Sequence, residues 1–198
     1  MNLPNKLTLF RIILVPIIIF IWLLNIPNVT FTLLASEIEV SKFICALLFI
    51  VASITDFLDG KIARKNNLIT TFGKLCDPVA DKMLTTAALL AFMQLGLCSV
   101  WIVMIVLTRE FLVTSFRLVA TSQGIVIPAG IWGKLKTASQ MVFSIAIMLG
   151  IQLIDAFGWE FEKFALVSNV LLWITAALTV ISGIKYLVDG KKVIDFSM

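Results

Sequence analysis

Four aspartates carry the densest chemistry in the sequence. Asp56 and Asp59 lie three residues apart and Asp77 and Asp81 four apart, within the stretch DFLDGKIARKNNLITTFGKLCDPVAD. Residues at those spacings share a helix face. Each pair therefore presents two carboxylates in one direction, and a short loop between antiparallel helices brings the pairs together. Four carboxylates in a low-dielectric cleft repel one another unless protonated or bridged by cations. Hard oxygen donors select Mg²⁺ or Mn²⁺, and four of them can hold two ions. Gly60 and Gly73 leave room for a ligand to approach the backbone. Ala63 is small, and Arg64 offers a planar fork for a phosphate. Taken singly, some of these residues have plainer readings. Asp77 before Pro78 fits an N-cap with proline at the first helical position, and Lys61, Arg64 and Lys65 fit basic residues gathered on one side of a membrane. Four aspartates with two interspersed glycines are harder to explain that way.

The elements that must position these aspartates are membrane helices. The chain has 198 residues, 60% hydrophobic and 14% charged, with a mean hydropathy of +1.05. A soluble domain is closer to ~45–50% apolar and ~25% charged. The three cysteines, Cys45, Cys76 and Cys98, lack CxxC spacing and read as apolar packers. The sequence contains no histidine, which removes His-ligated zinc, Ser-His-Asp triads and imidazole acid–base chemistry. Any side-chain catalysis must use carboxylates, lysines and arginines.

A spanning helix needs roughly 20 mostly apolar residues. Six stretches approach that length: about 7–26, 43–64, 78–97, 99–120, 135–154 and 164–184. The second reaches it only by running through Asp56 and Asp59, the fourth only by including Arg109, Glu110 and Arg117. The expected architecture is all-α: a polytopic membrane protein with six transmembrane helices, one domain over residues 1–198. Lys6 and Arg11 resemble the basic start of a secretory signal, but no small-x-small cleavage site follows the apolar run, so the first helix reads as retained.

Orientation follows from the basic residues. Counted on alternate sides, fourteen of the sixteen Lys and Arg fall on the side that carries both termini; only Lys42 and Lys163 lie opposite, beside Glu37, Glu39, Asp155, Glu160 and Glu162. Both termini are expected in the cytosol, and the +4 net charge reflects this sidedness rather than nucleic-acid binding. The charges that intrude on the spans (Arg11, Asp56, Asp59, Asp81, Lys82, Arg109, Glu110, Arg117, Lys136) all fall at cytoplasmic ends. Ionisable groups at membrane depth usually line a cavity or pair with one another. A polar cavity opening from the cytosol into the inner leaflet suits an enzyme acting on a lipid headgroup.

The pattern Asp56-x2-Asp59-Gly60-x2-Ala63-Arg64-x8-Gly73-x3-Asp77-x3-Asp81 resembles, position for position, the signature of CDP-alcohol phosphatidyltransferases. The opening MNLPNKLTLFR and the stretch TREFLVTSFRLVATSQG…GKLKTASQ resemble the bacterial phosphatidylglycerophosphate-forming members of that family. The resemblance implies a six-helix membrane fold, a homodimer in the cell membrane with its active site facing the cytosol, and CDP-diacylglycerol and sn-glycerol 3-phosphate as substrates. It further implies Asp56, Asp59 and Asp77 as the main metal ligands, with Asp81 as a ligand and the candidate general base. Gly60, Ala63, Arg64 and Gly73 would surround the CDP moiety, helped by Asn5 and Thr8. The acceptor's phosphate needs cations of its own, and Arg109, Arg117, Lys134 and Lys136, at facing ends of the fourth and fifth helices, can converge on one anion. A plainer alternative makes them positive-inside residues, with Arg109 a partner of Glu110.

Two rival readings keep the aspartates but change their use. The same fold can serve another acceptor, such as inositol phosphate, serine or phosphatidylglycerol, and the aspartate signature does not separate these. A divalent-cation transporter also wants intramembrane carboxylates, but it needs polar groups at several depths, and the outer halves of the six stretches carry almost no charge.

Overall fold

The computed structural model describes residues 2–24, 30–33, 36–65, 71–125, 130–155 and 157–191, without the side chains at 3, 4, 24, 31–33, 36, 37, 57–65 and 71–75. Six α-helices carry the fold: α1 (Leu3–Leu24), α2 (Val40–Lys65), α3 (Thr71–Gln94), α4 (Val100–Ser122), α5 (Ile131–Gly150) and α6 (Phe161–Lys191), with a 3₁₀ turn at Ile151–Leu153.

Their surface is the reverse of a soluble protein's. Large apolar side chains point outward, among them Phe20, Trp101, Phe111, Leu166 and Val188, while Arg11, Gln140, Thr175 and Thr179 are at most 1% exposed. Hydrocarbon outside and polar groups inside is the arrangement a lipid solvent favours. Asn5–Leu23, Ile131–Leu153 and Phe161–Lys191 are long and apolar enough to cross a membrane. Among the described residues α2, α3 and α4, which carry the aspartates and the Arg109–Glu110–Arg117 set, do not reach that standard, so three of the six expected spans meet it.

The helices form two groups of three. In the first, α1 lies against both α2 and α3; in the second, α6 lies against both α4 and α5; α2 and α3 then meet α5, and α3 meets α4. Small residues let the first group close up: Ala46 and Ala52 of α2 and Ala87, Ala88 and Ala91 of α3 are buried in one core with Leu14, Val15, Ile18 and Trp22 of α1. Cys45 belongs to this core, its thiol donating to the Ile18 carbonyl at 3.4 Å, and all three cysteines are free, as their spacing predicts.

Two features depart from the sequence reading. A two-stranded antiparallel hairpin, β1 (Thr30–Leu33) and β2 (Ser36–Glu39), precedes α2, pairing Thr30 with Glu39 and Phe31 with Ile38. The run Glu37-Ile38-Glu39 alternates charge and hydrocarbon, and Ile38 is 1% exposed, the period of a half-buried strand. The second departure concerns α3, which starts at Thr71 and carries Pro78 in its interior. Asp77 is therefore not an N-cap. Pro78 removes one helical hydrogen bond just where the two acidic residues stand.

Candidate active site

The site is assembled from all six helices across the seam between the two groups. On α1, Asn5, Thr8 and Arg11 recur every three residues and are 7%, 1% and 0% exposed. The rest of the helix, apart from the exposed Lys6, is apolar, so that spacing forms a polar stripe turned toward α2 and α3. Thr8 donates to Asp77 Oδ1 at 2.5 Å. Arg11 Nη1 is ion-paired with Asp56 Oδ1. The guanidinium is fully enclosed whereas the Asp56 side chain is 32% exposed, so the pair has one wet face. A buried arginine beside a carboxylate fixes the direction of that carboxylate.

Asp81, one turn beyond Asp77 on α3, is placed differently. Its Oδ1 is buried and has no hydrogen-bond partner. Asp56, Lys136, Glu110 and Arg11 all act on it electrostatically, which puts it between the acidic and the basic parts of the site. An orphaned, buried carboxylate oxygen next to other hard oxygen donors fits a divalent cation or a proton to be received. Among the described residues no three acidic or thiol side chains gather in one cluster. The side chain of Asp59, the fourth aspartate of the pattern, lies outside the described ones, as do those of Ala63 and Arg64; Gly60 belongs to the same stretch of α2 and Gly73 to the first turns of α3.

The basic half centres on a residue that the sequence reading treats only as a possible partner for Arg109. Glu110 Oε1 accepts from Arg109 Nη1 at 3.0 Å and from Lys136 Nζ at 2.6 Å. Arg109 continues to α6, donating through Nη2 to Ser182 Oγ at 2.7 Å. Gly183 allows this approach, because a Cβ there would meet Arg109 Cγ at 2.9 Å. Two turns along α4, Arg117 Nε donates to Tyr186 Oη at 3.4 Å, and its guanidinium lies 5.7 Å from the centre of the same ring, within reach of a cation–π attraction. Ser182 and Tyr186, one turn apart on α6, thus hold both arginines. Of the four cations expected to converge, Arg109 and Lys136 meet on Glu110, Arg117 stands on Tyr186, and Lys134 is exposed and has no ion pair among the described residues.

Arg11, Glu110, Ser182 and Tyr186 are the positions that sequence reasoning did not assign. For Arg11 a signal existed in the three-residue spacing from Thr8. For Tyr186, the one tyrosine of the chain, the signal was a polar tip on an apolar helix.

Comparison with known proteins adds an independent line. Residues 1–181 match the sequence model of a family described as CDP-alcohol phosphatidyltransferase. A Bacillus subtilis protein named CDP-diacylglycerol–glycerol-3-phosphate 3-phosphatidyltransferase is 40% identical over 185 residues, 93% of either chain. Proteins of the same name from Rickettsia bellii and Haemophilus influenzae are 37% identical over 191 residues, covering 96% of both chains, and 34% identical over 196 residues, covering 96% of this chain and 94% of the other.

Proposed function

This chain belongs to the CDP-alcohol phosphatidyltransferase family, and from that premise we propose that it transfers the phosphatidyl group of CDP-diacylglycerol to sn-glycerol 3-phosphate, forming phosphatidylglycerol phosphate and CMP. The observation that carries this reading is the facing of two unlike half-sites. Carboxylates on α2 and α3, backed by the polar stripe of α1, stand opposite cations on α4 and α5. One half suits a nucleotide pyrophosphate neutralised by metal, the other a second phosphate. The relatives' names specify just such a pair of substrates.

A divalent cation is the family's general cofactor. In this reading Asp56, Asp59 and Asp77, with Asp81, hold two ions, Mg²⁺ or Mn²⁺. When bound, such ions neutralise the pyrophosphate and stabilise the departing CMP oxygen. The protein's own groups do the rest. Arg11 aims Asp56, and Thr8 aims Asp77. Asn5, Gly60, Ala63, Arg64 and Gly73 surround the CDP moiety. Arg109, Arg117, Lys134 and Lys136 hold the acceptor's phosphate. Asp81 takes the proton from the acceptor's primary hydroxyl, whose oxygen forms a bond to the lipid-side phosphorus. The bond from that phosphorus to the CMP oxygen breaks, and CMP leaves with the electron pair. With no histidine in the chain, a carboxylate is the natural general base.

The membrane arrangement belongs to the same reading. All six helices cross the cytoplasmic membrane, both termini face the cytosol with the site, and the enzyme works as a homodimer among membrane lipids. Purified protein given CDP-diacylglycerol and radiolabelled glycerol 3-phosphate should move label into an organic-soluble lipid. No transfer in the presence of divalent cation would remove this function.

A further inference from the structure

The cations of the basic half are not equally balanced. Arg109 and Lys136 share the charge of Glu110, and Arg117 is engaged by an aromatic ring. Lys82 stands apart from these. It follows Asp81 on α3, and its ammonium crosses the seam between the two helix groups to donate to Thr114 Oγ1 of α4. Thr114 gives its own proton to the Glu110 carbonyl at 2.7 Å, so its oxygen is fixed as an acceptor toward Lys82. Among the described residues Lys82 has no ion pair. Glu110, Asp81, Arg117 and Lys136 nevertheless all lie near enough to act on it electrostatically.

An ammonium has three protons to donate, and one neutral hydroxyl takes only one of them. A partly enclosed cation at membrane depth without a direct ion pair is costly, and an anion seated on it would complete the site. The position selects which anion. The CDP side of the cleft is supplied by α1, α2 and the first turns of α3, whereas, Asp81 apart, the groups around Lys82 (Thr114, Glu110, Arg117 and Lys136) belong to α4 and α5. The reacting hydroxyl and the phosphate of glycerol 3-phosphate lie at opposite ends of a three-carbon chain. The phosphate must therefore rest close to the base that receives the hydroxyl proton, and Lys82 is the sequence neighbour of that base.

We infer that Lys82 is an additional acceptor-binding residue, its ammonium contacting the phosphate of glycerol 3-phosphate from α3 while Arg117 and Lys136 approach from α4 and α5. This rests on the function proposed above, and the test separates the two. KM for each substrate is measured by CMP release for wild type, Lys82→Gln, Lys82→Met, Lys82→Arg and Thr114→Val. Wild-type turnover with glycerol 3-phosphate checks the function itself; its absence refutes the function and the inference together. Given that turnover, Lys82→Gln and Lys82→Met should raise KM for glycerol 3-phosphate about tenfold or more, the scale of one charge-assisted hydrogen bond, and leave KM for CDP-diacylglycerol within about twofold. Lys82→Arg should recover most of the loss. Thr114→Val, which removes the hydroxyl but keeps the charge, should change KM by no more than about threefold. An unchanged acceptor KM in the neutral variants, an equal rise in both KM values, or a Thr114→Val effect as large as that of Lys82→Gln overturns the inference. If Lys82→Gln does not fold, Lys82→Met carries the same test with a side chain suited to hydrocarbon.

Discussion

Replacing Glu110 by glutamine should weaken the protein more than any other single change in the basic half. Glu110 Oε1 serves Lys136 at 2.6 Å and Arg109 at 3.0 Å, and the side chains are 14%, 6% and 14% exposed for Glu110, Lys136 and Arg109. The charges are thus largely out of water. Removing one partner of a buried ion pair costs about 3–5 kcal/mol, because the other charge is left without compensation. The residual exposure here argues for the lower end, about 3 kcal/mol. For a chain of this length, each kcal/mol moves the melting temperature by about 2–4 °C, which predicts a fall of roughly 6–12 °C for Glu110→Gln. Lys136→Gln should cost less, since Glu110 keeps Arg109 as its partner. The double variant should cost clearly less than the two singles added, because both remove the same pair. Intrinsic fluorescence of the five tryptophans, followed during heating in detergent, reads all three. A Glu110→Gln protein melting within a degree or two of wild type, or costs that simply add, would refute the view that Glu110 organises this half of the site.

Further outcomes concern the metal and the base, the topology, and the seat of Arg109. Excess chelator should abolish turnover; Asp56→Asn should raise the divalent-cation concentration needed for half-maximal rate, and Asp81→Asn should bind both substrates yet lose turnover by about a hundredfold or more, within the usual range for a general base. In a background without the native cysteines, an impermeant thiol reagent applied to intact cells should label Asp155→Cys and miss Ser122→Cys, the reverse pattern contradicting the orientation read from the basic residues. Gly183→Ala places a Cβ 2.9 Å from Arg109 Cγ, so it should displace that side chain and raise KM for glycerol 3-phosphate several-fold while KM for CDP-diacylglycerol stays unchanged.

Much of the helical plan was legible because membrane helices announce themselves by apolar length. The six expected stretches fall on the six helices, with ends displaced by up to about seven residues, most at the start of α3, where polar residues continue the helix upstream of Pro78, and at the end of α6. The hairpin before α2 was not legible. Its strands are four residues long, too short to show a period beside helices of twenty or more. Asp56, Asp77 and Asp81 stood out by type and spacing, but their partners did not. Arg11 and Asp56 are 45 positions apart, and Arg109 and Ser182 are 73 apart. Hydropathy shows that a charge lies at membrane depth without showing which charge answers it. Glu110 illustrates the limit. Read along the chain it neighbours Arg109; in the fold it also takes Lys136 from another helix, and so becomes the centre of the cluster.

If the basic half of this cleft selects glycerol 3-phosphate as the acceptor, the choice shows when purified protein is given CDP-diacylglycerol, a divalent cation and, one at a time, glycerol 3-phosphate, inositol phosphate, serine and phosphatidylglycerol, and CMP release is recorded. Rapid release with glycerol 3-phosphate and little above background with the others is the predicted result. Preferential release with inositol phosphate, serine or phosphatidylglycerol would contradict it.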